Sequence, residues 1–221
     1  MELVLLHSPL AGPAAWDLLA PVLQARGHAV AVPDLTPVMG GAPPYYERLA
    51  QLAADAMDAP SVLVAHSGAG ALVPAITALA PVHSVIFADA LLPHPGKNWF
   101  ETAPDALQAR LRAMAKDGRL PPWHRWWPDG AIARMLGSAE LCERFTAGSQ
   151  PLPLAYFEER APDAALATPA AYLQLSDAYA SETAIAEAHG WPAAKLSLHH
   201  LAMLTHPDAV ADGIERLAAA A

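Results

Sequence analysis

Short apolar runs alternate with helical patterns along most of this chain, and the alternation limits its possible folds more than any other feature. Six runs have the length of buried strands: residues 3–7, 28–33, 62–65, 84–88, 172–175 and 195–198. Apolar residues at helical spacing follow most of them; the closing helix begins near Pro207 and places Val210, Ile214 and Leu217 on one face. Alternating strands and helices favour a parallel sheet covered by helices. The sequence therefore predicts an α/β fold with a mostly parallel sheet of about six strands.

The alternation lapses between the fourth and fifth predicted strands. Residues 94–170 hold one clear amphipathic helix, with Leu107, Leu111 and Met114 on one face, and are rich in proline and aromatic residues. A long insertion between strand ends is typical of a cover over the C-terminal edge of the sheet, where ligands bind in open α/β sheets. We therefore predict an α/β core of residues 1–93 and 171–221, and a helical, aromatic-rich lid of residues 94–170.

Several residues near this edge are candidates for substrate contact. Trp123, Trp126 and Trp127 form an aromatic cluster within the predicted lid. Packing inside the lid is the alternative role for each of these side chains. His7, at the end of the first predicted strand, is a fourth candidate.

Composition and charge narrow the range of partners. The 221 residues are 54% hydrophobic and carry a formal net charge of -9, which suits a globular domain with a sizeable core. An acidic protein repels phosphate backbones and anionic lipids, so we expect a small-molecule substrate and neither nucleic acid nor a membrane as partner. The single cysteine, Cys142, fits the reducing cytoplasm, where we expect the protein to be located. The apolar start at Met1 lacks a cationic leader and is interpreted as a strand.

The stretch Ala65-His66-Ser67-Gly68-Ala69-Gly70 directly follows an apolar run and places a serine among residues with small side chains. This is typical of a nucleophile elbow, a sharp turn from strand to helix whose strained serine projects from the sheet edge. Alanines stand where the usual Gly-x-Ser-x-Gly pattern has glycines. A phosphate-binding loop is the alternative, but the glycine spacing fits neither a P-loop nor a dinucleotide fingerprint. Ser67 is therefore the candidate nucleophile.

A serine nucleophile needs a base to take its proton and a third group to orient that base. His200 is the candidate base, because it lies between the last predicted strand and the last helix; the adjacent His199 is the alternative. Asp177, at the end of the fifth strand, is favoured as the acid, and Asp89, at the end of the fourth, is its competitor. The chain order of serine, acid and histidine differs from that of the chymotrypsin and subtilisin folds.

A metal site is the weaker interpretation of the same histidines. His199, His200, His206 and Asp208 are close in sequence, but their spacing matches no zinc motif of the His-Glu-x-x-His type. We therefore expect chemistry without a metal and without a cofactor.

Taken together, several segments resemble the α/β-hydrolase superfamily, and most of all its small members, the plant-type methyl esterases and hydroxynitrile lyases. The segments are residues 5–16, Val32-Pro33-Asp34-Leu35, the Ser67 elbow, Phe87-Ala88-Asp89-Ala90-Leu91-Leu92-Pro93 and His200-Leu201-Ala202-Met203-Leu204. They span the predicted core, whereas the lid carries no motif of the family.

The chain departs from this family at the oxyanion hole. The family's first strand usually ends His-Gly-x, and the N–H of x binds the oxyanion together with the N–H after the nucleophile. Here the sequence is His7-Ser8-Pro9, so Gly68 can donate as usual but Pro9 has no N–H. We expect the N–H of Leu10 to take this place. The alternatives are the Ser8 hydroxyl, or chemistry that forms no tetrahedral oxyanion.

These residues predict a serine hydrolase that cleaves a small ester, thioester or lactone through an acyl-enzyme on Ser67, with an apolar or aromatic group against the lid. A lyase or cyclase using the same residues is the first alternative, favoured by Pro9 and by the resemblance to hydroxynitrile lyases. A ligand-binding protein without catalysis is the second, and the intact set of site residues argues against it.

Overall fold

The computed structural model describes residues 1–220 and contains a six-stranded parallel sheet in the order β2-β1-β3-β4-β7-β8, which confirms the predicted fold class. Two further short strands, β5 and β6, form a separate antiparallel pair. The strands are β1 (Glu2–Leu6), β2 (Ala29–Ala31), β3 (Ser61–His66), β4 (Val82–Ala88), β5 (Arg119–Leu120), β6 (Leu152–Pro153), β7 (Ala170–Gln174) and β8 (Ala193–Lys195).

Helices connect the strands and cover both faces of the sheet. They are α1 (Leu19–Ala25), α2 (Thr36–Met39), α3 (Tyr45–Ala54), α4 (Val73–Thr77), α5 (Trp99–Thr102), α6 (Asp105–Met114), α7 (Ala131–Leu136), α8 (Ala139–Ala147), α9 (Leu154–Glu158), α10 (Ala180–Ala188) and α11 (Pro207–Ala218). Tighter 3-10 turns occur at several connections, and one of them, Ser67–Leu72, joins β3 to α4. The closing helix begins at Pro207 as predicted, with its apolar face buried.

The core lies on both sides of the sheet, because successive side chains of a strand point to opposite faces. In β1, Leu3 and Leu5 pack with Trp16 and with α11, whereas Val4 and Leu6 join the cluster that includes α3. Every residue of β3 is buried, as expected for a central parallel strand. Because β3 contributes side chains to the hydrophobic clusters on both faces of the sheet, its C-terminal end, and the turn that follows it, are held in place.

The last strand differs from the prediction. It occupies Ala193–Lys195 rather than residues 195–198, because Ser197 adopts a left-handed backbone (φ 51°) that interrupts the regular ladder. The chain nevertheless stays bound to the sheet, since the N–H of Leu198 donates to the carbonyl of Leu175 at 2.8 Å. The next two residues, 199 and 200, thus lie at the C-terminal edge of the sheet.

The segment between β4 and β7 is mostly helical and contains α5 to α9. Five of its aromatic side chains are buried and belong to the same hydrophobic cluster as α3: Trp99, Phe100, Trp126, Tyr156 and Phe157. The segment is therefore packed onto the sheet, and its function as a lid stays a prediction. Among the helices of residues 1–220, none has both the length and the hydropathy needed to cross a membrane.

Candidate active site

Ser67 occupies a strained turn directly after β3. Its backbone is left-handed (φ 57°), a conformation that costs a non-glycine residue on the order of 1–3 kcal/mol. Ala65 and Ala69, two positions before and after it, are fully buried. Ser67 itself lines a cavity at the edge of the sheet. These are the features of a nucleophile elbow.

A loop from the end of β4 crosses over this elbow. The N–H of Leu91 donates to the carbonyl of Ser67 at 3.0 Å. A β-carbon on Gly70 would lie 1.9 Å from the carbonyl oxygen of Leu91, so only glycine permits this approach. The ends of β3 and β4 are thereby held together, and Asp89 lies beside the elbow.

Asp89, the first residue after β4, holds the imidazole of His200. The distance from His200 Nδ1 to Asp89 Oδ2 is 2.8 Å, and the Asp89 side chain is fully buried. Because an ionised carboxylate only accepts, Nδ1 carries the proton and Nε2 is left as the basic nitrogen. His200 and Ser67 line the same cavity. In residues 1–220 no hydrogen bond joins the Ser67 hydroxyl to the His200 ring, and such contacts often tighten only when substrate binds.

Three further donors surround the carboxylate of Asp89. The N–H groups of Leu175 and Ser176 donate to Oδ1 at 2.8 and 2.9 Å, and the Ser176 hydroxyl donates to Oδ2 at 2.6 Å. Burial acts to raise the pKa of Asp89, but the hydrogen bonds from His200 and Ser176 outweigh it, so this pKa lies below its ordinary value. Asp89 is therefore ionised at neutral pH and can stabilise a positive charge on His200.

The contact between Asp89 and His200 contradicts the choice of acid that the sequence favoured. Asp177 lies in a 3-10 turn after β7, its side chain is 88% exposed, and it pairs with Lys195 Nζ at 2.8 Å. The prediction that Asp177 orients His200 is wrong, and its competitor Asp89 holds that position. The reason is topological: β4 lies between β3 and β7, so its end is next to the elbow. Asp89 has a left-handed backbone (φ 46°), and its side chain is buried against His200.

His200, rather than His199, lines the cavity together with Ser67. The ring of His199 bonds to the Thr205 hydroxyl at 2.8 Å and accepts the N–H of Leu201 at 3.3 Å. The backbone of His200 is held by His66, whose Nε2 donates to the His200 carbonyl at 2.9 Å. Burial, together with the neighbouring His200, lowers the pKa of His66 to about 3. His66 therefore stays neutral and serves as a support for the base.

Sequence reasoning missed Tyr179. Its ring stacks on that of His200, with centroids 5.0 Å apart and planes inclined by 4°. It lines the same cavity as Ser67, and burial raises the pKa of Tyr179 and keeps the phenol protonated. Tyr179 thus packs against the candidate base and shares the cavity with the candidate nucleophile. The only signal in the sequence was its position just after the fifth strand, at the edge where the other site residues lie.

A cavity of about 490 Å³ opens above Ser67, Gly68 and His200. Its walls are mostly aromatic and aliphatic, and many come from the segment between β4 and β7. All three predicted tryptophans line it, namely Trp123, Trp126 and Trp127. The described lining contains no lysine or arginine, and Glu182 contributes a carboxyl group. The cavity can therefore accept an apolar group close to Ser67.

His7, predicted to contact substrate, has a structural role instead. It is fully buried, its Nδ1 donates to the carbonyl of Ser8 at 2.8 Å, and its Nε2 accepts the N–H of Leu35 at 3.0 Å. Both ring nitrogens are used by the backbone, so the prediction of substrate contact is wrong. His7 fixes the loop that carries Ser8, Pro9 and Leu10.

This loop lies against Gly68. The N–H of Leu10, the predicted second donor to the oxyanion, donates to Ser8 Oγ at 3.2 Å. It therefore already has an acceptor within its own loop. Leu10 and Gly68 both line the cavity beside Ser67.

Comparison with known protein families identifies the family of this chain. A model of the alpha/beta hydrolase family matches residues 3–213. The chain belongs to the alpha/beta hydrolase family. This membership confirms the resemblance found in the sequence and supports hydrolysis as the general class of activity. No curated protein matches the sequence.

Solved structures of the alpha/beta hydrolase fold superimpose on nearly the whole chain. An extracellular alpha/beta-hydrolase from a Paenibacillus species has a TM-score of 0.80 and 18% identity, with 98% of each chain covered. Polyneuridine aldehyde esterase has a TM-score of 0.71 and 17% identity, again with 98% of each chain covered. A pyrethroid hydrolase from Sphingobium faniae JZ-2 has a TM-score of 0.69 and 21% identity, covering 100% of this chain and 98% of its own. At these identities the likeness concerns the fold.

Proposed function

We propose that the protein is a serine hydrolase that cleaves a small ester, thioester or lactone through an acyl-enzyme on Ser67. The observation that carries the proposal is the 2.8 Å contact between His200 and the buried Asp89, on the same cavity as a serine with a strained backbone. A nucleophile, a base and a buried group that orients the base are the parts required for acyl transfer by serine.

In this mechanism Ser67 Oγ attacks the substrate carbonyl and passes its proton to His200 Nε2. The ionised Asp89 keeps the proton on Nδ1 and stabilises the imidazolium. Gly68 N–H donates to the oxyanion. His200 then protonates the leaving alcohol or thiol. A water molecule, deprotonated by His200, attacks the acyl carbon; the bond to Ser67 Oγ breaks, and His200 returns the proton to Ser67 as the acid leaves.

The lining of the cavity favours an uncharged substrate with an apolar or aromatic group. Tryptophans form much of the wall, and no cation of the described lining could pair with a substrate carboxylate. Burial raises the pKa of Glu182, whose Oε2 accepts the N–H of Leu92 at 3.0 Å. An anionic substrate would lie near this carboxyl group without a compensating charge. Two structural neighbours named as an esterase and a pyrethroid hydrolase support the choice of an ester.

A fluorophosphonate probe combined with p-nitrophenyl esters tests the proposal. We expect the probe to modify Ser67 and to abolish hydrolysis, and neutral esters to be cleaved faster than esters that carry a carboxylate. Ser67→Ala should lose both the label and the activity. Full activity in a protein that carries no label at Ser67 would overturn the proposal.

A lyase or cyclase is the second candidate function, and the loop after β1 favours it. Pro9 offers no N–H, and the N–H of Leu10 is directed at Ser8, so the usual second oxyanion donor is missing from the backbone. Turnover in ¹⁸O-water separates the two functions. A hydrolase incorporates the isotope into the product acid, whereas a lyase or cyclase forms its product without it.

A further inference from the structure

We infer that the Ser8 hydroxyl completes the oxyanion hole, in the place where Pro9 offers no N–H. The inference rests on the proposed function, because an oxyanion forms only if Ser67 attacks a carbonyl. It assigns to Ser8 a direct contact with the reacting atoms. It also replaces the Leu10 N–H that the sequence favoured.

The position of Ser8 supports this role. Its side chain is buried, and a β-carbon placed on Gly68 would lie 3.1 Å from Ser8 Oγ. Gly68 follows the nucleophile and supplies the first donor, so the two groups are close enough to bind one oxygen. Ser8 also lines, with Ser67 and His200, a small cavity of about 10 Å³, which is close to the space that one water-sized group needs.

The hydrogen bonding of Ser8 leaves its proton free. Ser8 Oγ accepts the N–H of Leu10 at 3.2 Å, and in residues 1–220 the hydroxyl donates to no other group. A hydroxyl that accepts one hydrogen bond becomes a better donor for the next one. The Leu10 N–H therefore acts through Ser8: it orients the hydroxyl and strengthens it as a donor.

The loop is held in this geometry before any substrate arrives. The Ser8 carbonyl accepts the N–H of Ala11 at 3.0 Å and the Nδ1 proton of His7 at 2.8 Å. Hydrogen bonds from residues before and after Ser8 thus hold the turn in place. A donor that needs no reorientation stabilises developing charge more than one that must first move.

The chemical step assigns each proton. As the bond from Ser67 Oγ to the carbonyl carbon forms, the π electron pair moves to the carbonyl oxygen and the Ser67 proton moves to His200. The negative oxygen accepts hydrogen bonds from Gly68 N–H and Ser8 O–H, and both of these protons stay on their donors. When the tetrahedral intermediate collapses, the electron pair returns and the leaving group departs with the proton from His200.

Ser8→Ala and Ser8→Thr test the assignment, with Ser84→Ala as a matched control. Ser84 is a fully buried serine in β4 whose hydroxyl has no partner among residues 1–220, and it does not line the cavity. We expect Ser8→Ala to lower kcat for a neutral p-nitrophenyl ester by about 10²–10³, with KM changed by less than about threefold. Ser8→Thr keeps a hydroxyl and should retain activity within about tenfold, and Ser84→Ala should match the wild type.

A second measurement separates charge stabilisation from support of the loop. A trifluoromethyl ketone forms a hemiketal oxyanion on Ser67, and we expect its affinity to fall with kcat in Ser8→Ala. A non-covalent ketone of the same shape, which carries no oxyanion, should bind Ser8→Ala as tightly as the wild type. Wild-type kcat in Ser8→Ala, or an equal loss of affinity for both ketones, would overturn the inference.

The outcomes also distinguish this inference from the proposed function. If Ser67→Ala remains active and unlabelled, the serine hydrolase itself is refuted. If Ser67→Ala is inactive while Ser8→Ala turns over at the wild-type rate, the hydrolase stands and only the role of Ser8 is refuted.

Discussion

Replacing Asp89 by asparagine tests the candidate active site most directly, because it changes one atom and keeps the shape. The amide oxygen can still accept the N–H groups of Leu175 and Ser176, which lie 2.8 and 2.9 Å from Asp89 Oδ1. The amide nitrogen then takes the place of Oδ2 and donates towards His200 Nδ1. His200 must carry its proton on Nε2, where it can no longer take the proton of Ser67.

The expected loss follows from this change of tautomer. In a serine protease the same substitution leaves the geometry intact and lowers kcat by about 10⁴. We expect a decrease of about 10³–10⁴ for Asp89→Asn, because the 2.8 Å contact with a buried carboxylate has the same form. The Ser176 hydroxyl can rotate to accept from the new amide, so the free energy of unfolding should fall by only about 1–3 kcal/mol.

The assay compares Asp89→Asn with Asp177→Asn. Asp177 is exposed and pairs only with Lys195, so its variant should keep kcat within about twofold. Steady-state kinetics on a p-nitrophenyl ester gives kcat, and urea denaturation gives the free energy of unfolding. If Asp89→Asn kept kcat within about tenfold while Asp177→Asn lost it, the assignment of the acid would be refuted.

Two further predictions concern stability. The pKa of His66 is about 3 in the folded protein and 6.5 ordinarily, so between these values the unfolded chain binds more protons and stability falls as the pH falls. From pH 7 to pH 5 the free energy of unfolding should fall by about 2 kcal/mol for this reason. Asp89 does not contribute in this range, because its pKa is lowered from 3.8 and it titrates only at lower pH. Urea denaturation of His66→Asn should show a smaller decrease in stability over the same pH range, and an equal decrease in the variant and the wild type would contradict this prediction. Gly70→Ala places a methyl group 1.9 Å from the Leu91 carbonyl and should cost about 2 kcal/mol or more, with loss of activity. Gly148→Ala, where a β-carbon meets nothing within 4 Å, should unfold at the wild-type urea concentration; equal stability of the two alanine variants would refute the steric argument.

The fold and the elbow could be predicted because their signals are local. Alternating apolar runs specify strands and helices wherever they occur, and the small residues beside Ser67 are typical of a sharp turn from strand to helix. The long insertion was also visible, since the alternation stops there. Its contribution to the cavity through Trp123, Trp126 and Trp127 followed from its position at strand ends.

The acid could not be chosen in the same way, because the choice depends on contacts between strands. Asp89 and Asp177 both follow apolar strands, and nothing local shows that Leu175 and Ser176 direct their N–H groups at one of them. His7 presents a similar difficulty: a histidine at a strand end has the same sequence context whether it binds substrate or the backbone. Tyr179 belongs to the site only through its stacking on His200, a tertiary contact.

The left-handed backbone at the ends of β3 and β4 sets stability against function. Ser67 and Asp89 have φ values of 57° and 46°, and such conformations cost roughly 1–3 kcal/mol each in a non-glycine residue. The packing of the buried sheet must offset this strain, so the site requires a fold whose free energy of unfolding exceeds the cost of the two strained residues. Selection for thermal resistance alone would favour glycine at position 67, where it relieves the strain, and would thereby eliminate the nucleophile. Two residues that are central to the proposed chemistry are thus among those that selection for stability alone would replace first.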